Sequence, residues 1–272
     1  MTETVLITGT SSGYGKATAE HFLSRGWNVL ATMRRPDPGL FGARTERLKV
    51  LPLDVTDQRS IDAAIAEGVA AFGAIDVLVN NAGIGMASIV EATPDSTIRE
   101  VFETNTFGVF ATCRAIIPQM RRQGGGRIIN VTSSTTIGVM PLVAVYAASK
   151  CAVEGFTESL AYELEGFGIK EPGYAPTTSF TANGAQRMQG LMPADYGAFI
   201  QSCFGKMANY PTAYCTEAEV AEAVFRAATE DGPQLRYPAG PDSKLLAQLR
   251  WSTSEEHYLG RMREMFGPAP SL

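Results

Sequence analysis

The sequence predicts an α/β fold in which helices cover both faces of a doubly wound parallel sheet of about seven strands. Short apolar runs rich in β-branched residues alternate with amphipathic stretches, a pattern that is typical of repeated strand–helix units. A glycine-rich turn joins the first apolar run to the first helical stretch. The chain has 272 residues, 45% of them hydrophobic, and no linker-like segment, so we expect one domain over residues 1–272.

The individual elements are predicted in chain order from these runs. Strands are expected at residues 4–8, 27–33, 48–53, 75–79 and 127–131, with a last short strand at 234–237. Helices are expected at residues 16–25, 58–72, 91–123, 143–167 and 216–229, and again after the last strand. The third helix is predicted to break near Pro94 and at Pro118, because proline removes a backbone donor.

The turn after the first strand predicts a dinucleotide site. Its glycines allow a sharp turn and a close approach to a pyrophosphate, and the N-terminus of the following helix favours negative charge. A strand–turn–helix context is what this hypothesis requires, although an ordinary connecting turn is the alternative. The candidate residues are Gly9, Ser11, Ser12, Gly13, Tyr14 and Gly15.

The end of the second strand indicates the kind of dinucleotide. An NAD site places an acidic residue there, but no acid lies between Glu20 and Asp37, and Arg34 and Arg35 stand in its place. Because a guanidinium can bind a 2′-phosphate that an acid would repel, the sequence favours NADP(H), with Arg34 as its ligand. Alternatively, the two arginines only cap an exposed strand end.

Small and polar residues after the later strands extend this candidate site. Asn81, Ala82 and Gly83 follow the fourth strand, where small side chains let the backbone pass close to a ribose. The preceding Asn80 is expected to tie neighbouring strands together. Asp54, with Val55 beside it, either accepts a hydrogen bond from an adenine amino group or caps the next helix.

Tyr146 and Lys150 are four residues apart in a predicted helix, so their side chains are expected on one face, one turn apart. An ammonium beside a phenol favours the phenolate, which predicts a lowered pKa for Tyr146 and a role in proton transfer. The pair alone is a weak signal. It gains weight from Ser133, which emerges at the carboxyl end of the fifth strand, where such sheets bind ligands.

Asn105 falls inside a predicted apolar helix. A polar amide is unfavourable there unless it finds partners. It is therefore either a satisfied core asparagine or a ligand for a water molecule.

Composition narrows the range of partners. The net charge is −5, the pI is near 5.2 and no basic tract is present, which argues against nucleic acid and membrane surfaces. Four cysteines without C-x-x-C spacing and only two histidines argue against zinc and disulfides. Without a signal-like or membrane-spanning run, we expect a cytoplasmic protein.

Residues 174–215 are rich in aromatic residues, methionine and proline and show no clear period. A segment of this length and composition is usually functional, and we predict a substrate-binding loop region. Its side chains suggest a small apolar alcohol or ketone; alternatively, they pack against the protein's own core or another subunit. They are Phe180, Met188, Leu191, Met192, Tyr196, Phe199, Phe204 and Met207.

Together, these motifs resemble those of the short-chain dehydrogenase/reductases over almost the whole chain. The cofactor motif is Thr8-Gly9-x-x-x-Gly13-x-Gly15. It is followed in the family's order by Asn80-Asn-Ala-Gly83, Asn105, Ser133, Tyr146-x-x-x-Lys150 and Pro172-Gly-x-x-x-Thr177. Within the family, the chain looks like the branch of hydroxysteroid and retinol dehydrogenase-like enzymes.

The resemblance implies a Rossmann fold and an oxidoreductase that moves a hydride between NADP(H) and a carbonyl or alcohol carbon. Tyr146 would transfer a proton at the substrate oxygen, Lys150 would lower its pKa and bind the nicotinamide ribose, and Ser133 would hydrogen-bond the carbonyl. Asn105 would hold a water of the proton relay. Pro172, Gly173 and Thr177 would contact the nicotinamide end of the cofactor, and the chain would form a homodimer or homotetramer.

Two other functions fit the same fold. One is a catalytically silent, dinucleotide-sensing regulatory protein, against which the complete Asn, Ser, Tyr and Lys set argues. The other is an epimerase or dehydratase, which the single compact domain does not favour.

The sequence departs from the family at one place. The family has a sixth strand between the Tyr–Lys helix and the Pro–Gly turn, but here Lys170 is followed directly by Glu171, and about four strand residues are absent. We favour the explanation that residues are missing from the sequence between Lys170 and Glu171. The alternatives are a helix that unwinds early to supply the strand, or a damaged variant.

Overall fold

The computed structural model describes residues 2–37, 39–42, 46–170, 190–210, 212–232 and 234–267. These residues contain one parallel sheet of six strands in the order β3-β2-β1-β4-β5-β6. The order reverses between β1 and β4, and ligands bind open parallel sheets at such a reversal, outside the carboxyl ends of the strands. The strands are β1 (Thr4–Thr8), β2 (Asn28–Met33), β3 (Leu48–Pro52), β4 (Val77–Asn80), β5 (Gly126–Asn130) and β6 (Ile169–Lys170).

Helices follow the strands within the same described ranges. A π-helical turn at Glu103–Phe107 joins the third helix to the fourth, and short 3-10 turns lie at Ser134–Thr136 and Glu165–Phe167. The helices are α1 (Gly13–Ser24), α2 (Gln58–Phe72), α3 (Asp95–Phe102), α4 (Gly108–Gln123), α5 (Ala144–Leu164), α6 (Gly197–Ala208), α7 (Glu217–Thr229), α8 (Gly240–Ser252) and α9 (Glu255–Phe266).

The sheet is buried on both faces, which explains the nearly continuous apolar runs of its strands. Val5 and Ile7 of β1 point to one face, where they pack in a core with α1 and α7. Leu6 points to the other face and packs in a second core with α2, α4 and α5. The predicted α/β architecture, with helices on both faces of one parallel sheet, is therefore confirmed.

Two helix predictions need correction. Helix α4 runs through Pro118 without a break, because Ile116 and Met120 on either side of the exposed proline are fully buried and hold the helix against the sheet. The aperiodic region at 174–215 contains a helix, α6, whose position the pattern of residues did not indicate.

The predicted seventh strand is also wrong for the described residues. The chain around 234–237 contributes only a single bridge residue, Arg236, rather than a strand. A single bridged residue does not make the ladder of hydrogen bonds that joins a strand to its neighbour.

The end of helix α5 tests one explanation for the strand residues that are absent after Lys170. The helix continues to Leu164, is followed by the 3-10 turn to Phe167, and ends at Gly168 in the left-handed conformation. The helix therefore does not unwind early to supply a strand, and that explanation is wrong. The junction of Lys170 with Glu171 lies outside the described residues, so the proposed omission stays a prediction.

Candidate active site

The turn after β1 accepts only glycine at two positions. Gly9 has φ of 73°, and a Cβ there would lie 2.8 Å from the Cα of Ala82. A Cβ on Gly15 would lie 2.3 Å from the carbonyl oxygen of Gly9 and 2.4 Å from Asn81 Nδ2. These close approaches bring the turn against the chain that follows β4, at the reversal of strand order.

The N-terminus of α1 opens on this turn. The N-cap residue is Ser12, whose side chain makes no capping hydrogen bond, and the first turn of α1 contains no acidic residue. The first backbone N–H groups of the helix and the positive end of its dipole are thus available to bind an anion. This fits a dinucleotide pyrophosphate. Ser11 and Ser12 are exposed, while the half-buried Tyr14 places its hydroxyl 3.6 Å from Cys215 Sγ.

Thr8 fixes the two halves of this cradle to each other. Its Oγ1 accepts hydrogen bonds from the backbone N–H groups of Asn81 and Ala82, both at 3.0 Å. The Asn81 side chain returns the contact by donating to the carbonyl oxygens of Thr8 and Gly9, at 2.9 and 3.0 Å. The sequence marked Thr8 only as part of a motif and gave no signal of this bridging role.

The remaining candidate cofactor residues are placed as follows. Arg34 is exposed just after β2, near the carboxyl end of the sheet. Asp54 Oδ1 accepts from the N–H and the hydroxyl of Thr56, while Asp57 caps α2. Asp54 therefore does not cap the next helix, and that alternative is wrong. Val55 packs against Gly108, and Pro172, Gly173 and Thr177 lie outside the described residues.

Asn80 links strands as predicted. Its Nδ2 donates to Asn130 Oδ1 of β5 at 2.9 Å, and its Oδ1 accepts from Thr112 Oγ1 of α4 at 2.7 Å. These groups are buried, so the bonds offset the cost of removing polar atoms from water.

Tyr146 and Lys150 lie one turn apart in α5 and are both buried. The Tyr146 hydroxyl is hydrogen-bonded to the side chain of Ser133. Lys150 Nζ donates to the carbonyl oxygen of Val131 at 3.0 Å. The helix thus carries both side chains to the end of β5, where the sequence placed them.

Burial controls the proton affinities of this pair. It raises the pKa of Tyr146 above its ordinary value, with the Ser133 hydrogen bond acting in the opposite direction. It lowers the pKa of Lys150 to about 8, against the charge of Glu154. The predicted lowering of the Tyr146 pKa is therefore wrong for the protein alone, because desolvation of the phenolate outweighs the other influences.

Ser133 is fully buried at the start of a 3-10 turn. Its Oγ accepts from the backbone N–H of Thr135 at 3.2 Å and is 3.0 Å from the Thr135 hydroxyl. These bonds fix the direction in which the Ser133 hydroxyl faces Tyr146.

Asn105 lies in the π-helical turn and makes three hydrogen bonds. Its Oδ1 accepts from the N–H of Ile84 at 2.8 Å, and its Nδ2 donates to the Ile84 carbonyl and to Ser149 Oγ, at 2.9 and 3.1 Å. Asn105 is thus a satisfied buried asparagine. A Cβ on Gly83 would lie 3.2 Å from Asn105 Oδ1 and 3.4 Å from Lys150 Nζ, so the groups adjoin.

Sequence reasoning missed Ser149. This buried hydroxyl accepts from Asn105 and donates to the carbonyl oxygen of Tyr146 at 2.7 Å, which couples the π-helical turn to the helix of the Tyr–Lys pair. Its place directly before Lys150 was the only signal, and serine has too many common roles for that to decide.

The described residues offer neither a metal site nor a membrane-spanning helix. No three His, Cys, Asp or Glu side chains there come together as a possible metal site. None of the helices in those ranges combines the length and the hydropathy needed to cross a membrane.

Comparison with known proteins shows which family has this arrangement. The short chain dehydrogenase family model matches residues 3–190. The uncharacterized oxidoreductase YusZ of Bacillus subtilis is 36% identical over 270 residues, covering 92% of this chain and 95% of that protein. A 3-ketodihydrosphingosine reductase of Bacteroides thetaiotaomicron is 38% identical over 183 residues, which is 66% of each chain.

Solved structures show the same relationship. A short-chain dehydrogenase from Streptomyces avermitilis superposes with a TM-score of 0.75 at 29% identity, over 97% of this chain and 94% of that one. ElxO, solved with NADP bound, gives 0.72 at 28% identity, over 88% and 98%. The narrower hydroxysteroid or retinol branch stays a prediction. The chain belongs to the short-chain dehydrogenase family, as an oxidoreductase that uses a nicotinamide dinucleotide on CH–OH and C=O groups.

Proposed function

We propose that the chain interconverts a small apolar ketone and its alcohol with NADP(H), and that Tyr146 is the general acid and base. The observation that carries this proposal is the buried hydrogen bond between Tyr146 and Ser133, one turn from Lys150. This pair lies at the carboxyl end of the sheet, beside the glycine cradle. A phenol and a hydroxyl that meet there can share one substrate oxygen.

The chain's own residues would divide the work as follows. When bound, the dinucleotide supplies or accepts the hydride. Ser133 orients the substrate oxygen, and Tyr146 gives that oxygen a proton in reduction or removes one in oxidation. Lys150 presents its ammonium next to Gly83 and Asn105.

The raised pKa of Tyr146 favours carbonyl reduction over alcohol oxidation. Burial keeps the phenol protonated, and the protonated form is the one that donates in carbonyl reduction. Oxidation needs the phenolate, so positive charge beside the ring would have to offset the desolvation. The Asn105 side chain is already hydrogen-bonded to Ile84 and Ser149. To position a water molecule of the proton relay, one of its atoms would have to bond to the water and to its present partner at the same time.

We further assign cofactor binding to the cradle around α1 and to the ends of the neighbouring strands. The residues are Gly9, Ser11, Ser12, Gly13, Tyr14, Gly15, Asp54, Val55, Asn81, Ala82, Gly83, Tyr146, Lys150, Pro172, Gly173 and Thr177. The unbonded N-cap and the glycine-only contacts support this assignment.

NADP(H) is the proposed dinucleotide because Arg34 is exposed directly after β2, where an NAD site would place an acidic residue, and no acidic residue lies between Glu20 and Asp37. Replacing Arg34 by alanine is expected to weaken NADPH binding about 10-fold, or about 1.4 kcal/mol, and to leave NADH binding unaffected. Arg35→Ala is the matched control. Fluorescence titration measures both, and equal weakening of NADPH and NADH would contradict the role of Arg34.

Residues 174–215 are proposed to form the substrate-binding region. In its described part, Met192, Tyr196 and Phe199 pack in one apolar cluster with Leu142 and Ala147, and Ala147 is the neighbour of Tyr146. Packing against the protein's own core thus occurs directly beside the candidate catalytic tyrosine. This location supports an apolar substrate.

We propose a homodimer or homotetramer. Phe107 is half exposed and its ring packs edge-on against Phe110, which lies on Phe156 of α5. An exposed aromatic surface of this kind is typical of a subunit contact. Light scattering after gel filtration gives the mass, and Phe107→Ser is expected to shift it toward the monomer.

Tyr146→Phe tests the mechanism. The variant keeps the ring and loses the proton donor, so kcat/KM for carbonyl reduction is expected to fall by about 100- to 10,000-fold with NADPH affinity retained. Tyr162→Phe is the matched control, since this tyrosine lies on the same helix and is 82% exposed. If wild type binds NADPH but reduces no carbonyl compound, a silent dinucleotide-sensing protein becomes the better description.

A further inference from the structure

Glu154 lies one helical turn after Lys150 in α5, so the two side chains leave the same face of the helix. Glu154 Oε1 accepts a hydrogen bond from the Thr132 hydroxyl at 3.0 Å. Lys150 Nζ donates to the carbonyl oxygen of Val131, also at 3.0 Å. The carboxylate and the ammonium are therefore both held by neighbouring residues that directly follow β5.

Glu154 is the charged group that favours the ammonium of Lys150. The described groups that adjoin Lys150 from other elements, Asn105 and Gly83, are neutral, and Lys150 itself is only 4% exposed. Burial keeps the phenol of Tyr146 protonated, because it raises the pKa of that residue. Burial also lowers the pKa of Lys150 to about 8, and the charge of Glu154 acts in the opposite direction.

A positive charge from α8 also reaches this face of α5. Burial and the charge of Glu154 raise the pKa of Cys151, whereas Arg250 lowers it. The Arg250 guanidinium lies over the Tyr258 ring, 4.6 Å from the ring centroid. The pKa of Lys150, by contrast, is set by burial and by Glu154, so Arg250 does not cancel the carboxylate there.

The charge on Lys150 is sensitive to its surroundings because its pKa of about 8 lies close to neutral pH. Each further pKa unit lost would reduce the ratio of charged to neutral lysine tenfold. A neutral lysine would no longer offset the desolvation of a Tyr146 phenolate. A carboxylate one turn away thus decides whether the pair carries its positive charge under ordinary conditions.

We infer that Glu154, anchored by Thr132, is a positioning residue that keeps the Lys150 ammonium charged beside Tyr146 at neutral pH. It acts through Lys150 rather than on the substrate. The effect on the charge follows from the contacts above, and the importance of that charge for the reaction rests on the proposed function.

An NMR titration of the cofactor-free protein tests the effect on the charge. The ε-carbon resonance of Lys150 is identified by its loss in Lys150→Met. In Glu154→Gln, the midpoint of its titration is expected about 1 pH unit below that of wild type. The amide oxygen can still accept from Thr132, so this substitution removes the charge alone. Glu163→Gln, the same change on an exposed residue of α5, is the matched control and should leave the midpoint unchanged.

Thr132→Val tests the anchor. It keeps the charge of Glu154 but releases the carboxylate from its hydrogen bond, so the Lys150 midpoint should fall by roughly half as much as in Glu154→Gln. Because Thr132 acts only through Glu154, the double variant should show the same midpoint as Glu154→Gln alone.

Ketone reduction has a matching pH signature. With NADPH and an alkan-2-one, kcat/KM of wild type should fall as Lys150 loses its proton near pH 8, and Glu154→Gln should show the same fall about 1 pH unit lower. The variant is therefore expected to be about fivefold less active than wild type at about pH 8 and equally active at about pH 6. A merely structural defect would lower activity at both pH values.

The outcomes separate the inference from the proposed function. An unchanged Lys150 midpoint in Glu154→Gln would overturn the inference, even if the variant were less active. A lower midpoint with an unchanged pH profile of ketone reduction would overturn the role of Glu154 in the reaction. If wild type reduces no ketone, the proposed function fails, while the NMR titration still confirms or overturns the effect of Glu154 on the charge of Lys150.

Discussion

Lys150 offers a test in which function and stability oppose each other. Its ammonium is held in a buried site, where burial lowers the pKa from 10.5 to about 8. Lys150→Met keeps most of the side chain's volume and removes the charge. The variant is expected to lose activity, yet to be more resistant to unfolding than wild type near neutral pH.

The magnitude follows from the two pKa values. Each unit between the unfolded and folded chains is worth about 1.4 kcal/mol, so the charged lysine costs the folded protein about 3 kcal/mol below pH 8. Methionine also loses the hydrogen bond to the Val131 carbonyl, worth about 1 kcal/mol. The net gain for Lys150→Met is therefore about 2 kcal/mol near pH 7.

The sign of the difference in free energy of unfolding between Lys150→Met and wild type depends on pH. Between pH 8 and 10.5 the unfolded chain binds more protons at this lysine than the folded protein does, so wild type gains stability as the pH rises. The advantage of the variant should shrink through this window and reverse at its upper end. Burial raises the pKa of Tyr146, so this residue adds its own pH dependence near pH 10, but it does so in both proteins and cancels in the difference between them.

Urea denaturation of the cofactor-free proteins at about pH 7 and about pH 9.5 measures the difference in free energy of unfolding. Lys49→Met, which removes an exposed lysine of β3, is the matched substitution control. A difference between wild type and Lys150→Met that stays constant across this range would refute the reasoning.

Three further outcomes are expected. Gly15→Ala should weaken NADPH binding roughly 10-fold or more in a fluorescence titration, since its Cβ would meet the Gly9 carbonyl oxygen at 2.3 Å; unchanged affinity would contradict the cradle. Thr216→Ala should lower the free energy of unfolding by about 1 kcal/mol, because it removes the capping box with Glu219, whereas Thr216→Ser should not. Asn80→Ala should cost about 2–4 kcal/mol in urea denaturation, because it leaves buried partners on β5 and α4 unpaired; a loss below 1 kcal/mol would contradict that network.

Much of the fold could be predicted from local patterns. Helix α2 has the predicted bounds because an amphipathic run is framed by Asp57 at its N-cap and Gly73 at its end. Where tertiary packing decides, the patterns failed. Pro118 should interrupt a free helix, but burial of its neighbours holds α4 together, and the helix α6 in the aperiodic region had no signal of its own.

The candidate site was likewise predictable only in part. Spacing alone put Tyr146 and Lys150 on one face of a helix, and the order of strands brought Ser133 to them. The direction of the Tyr146 pKa could not be predicted, because it depends on how much water the folded chain excludes from the ring.

The π-helical turn at Glu103–Phe107 has a consequence for how this chain can change by insertion and deletion. Such a turn holds one residue more than an α-helical turn, and each helical residue rotates the chain by about 100°. Removing one residue from it would restore a regular helix from α3 into α4. The backbone could accept that shorter form, but Asn105 would swing away from Ile84 and Ser149, so a gain in helical regularity would separate the loop after β4 from the helix that carries Tyr146.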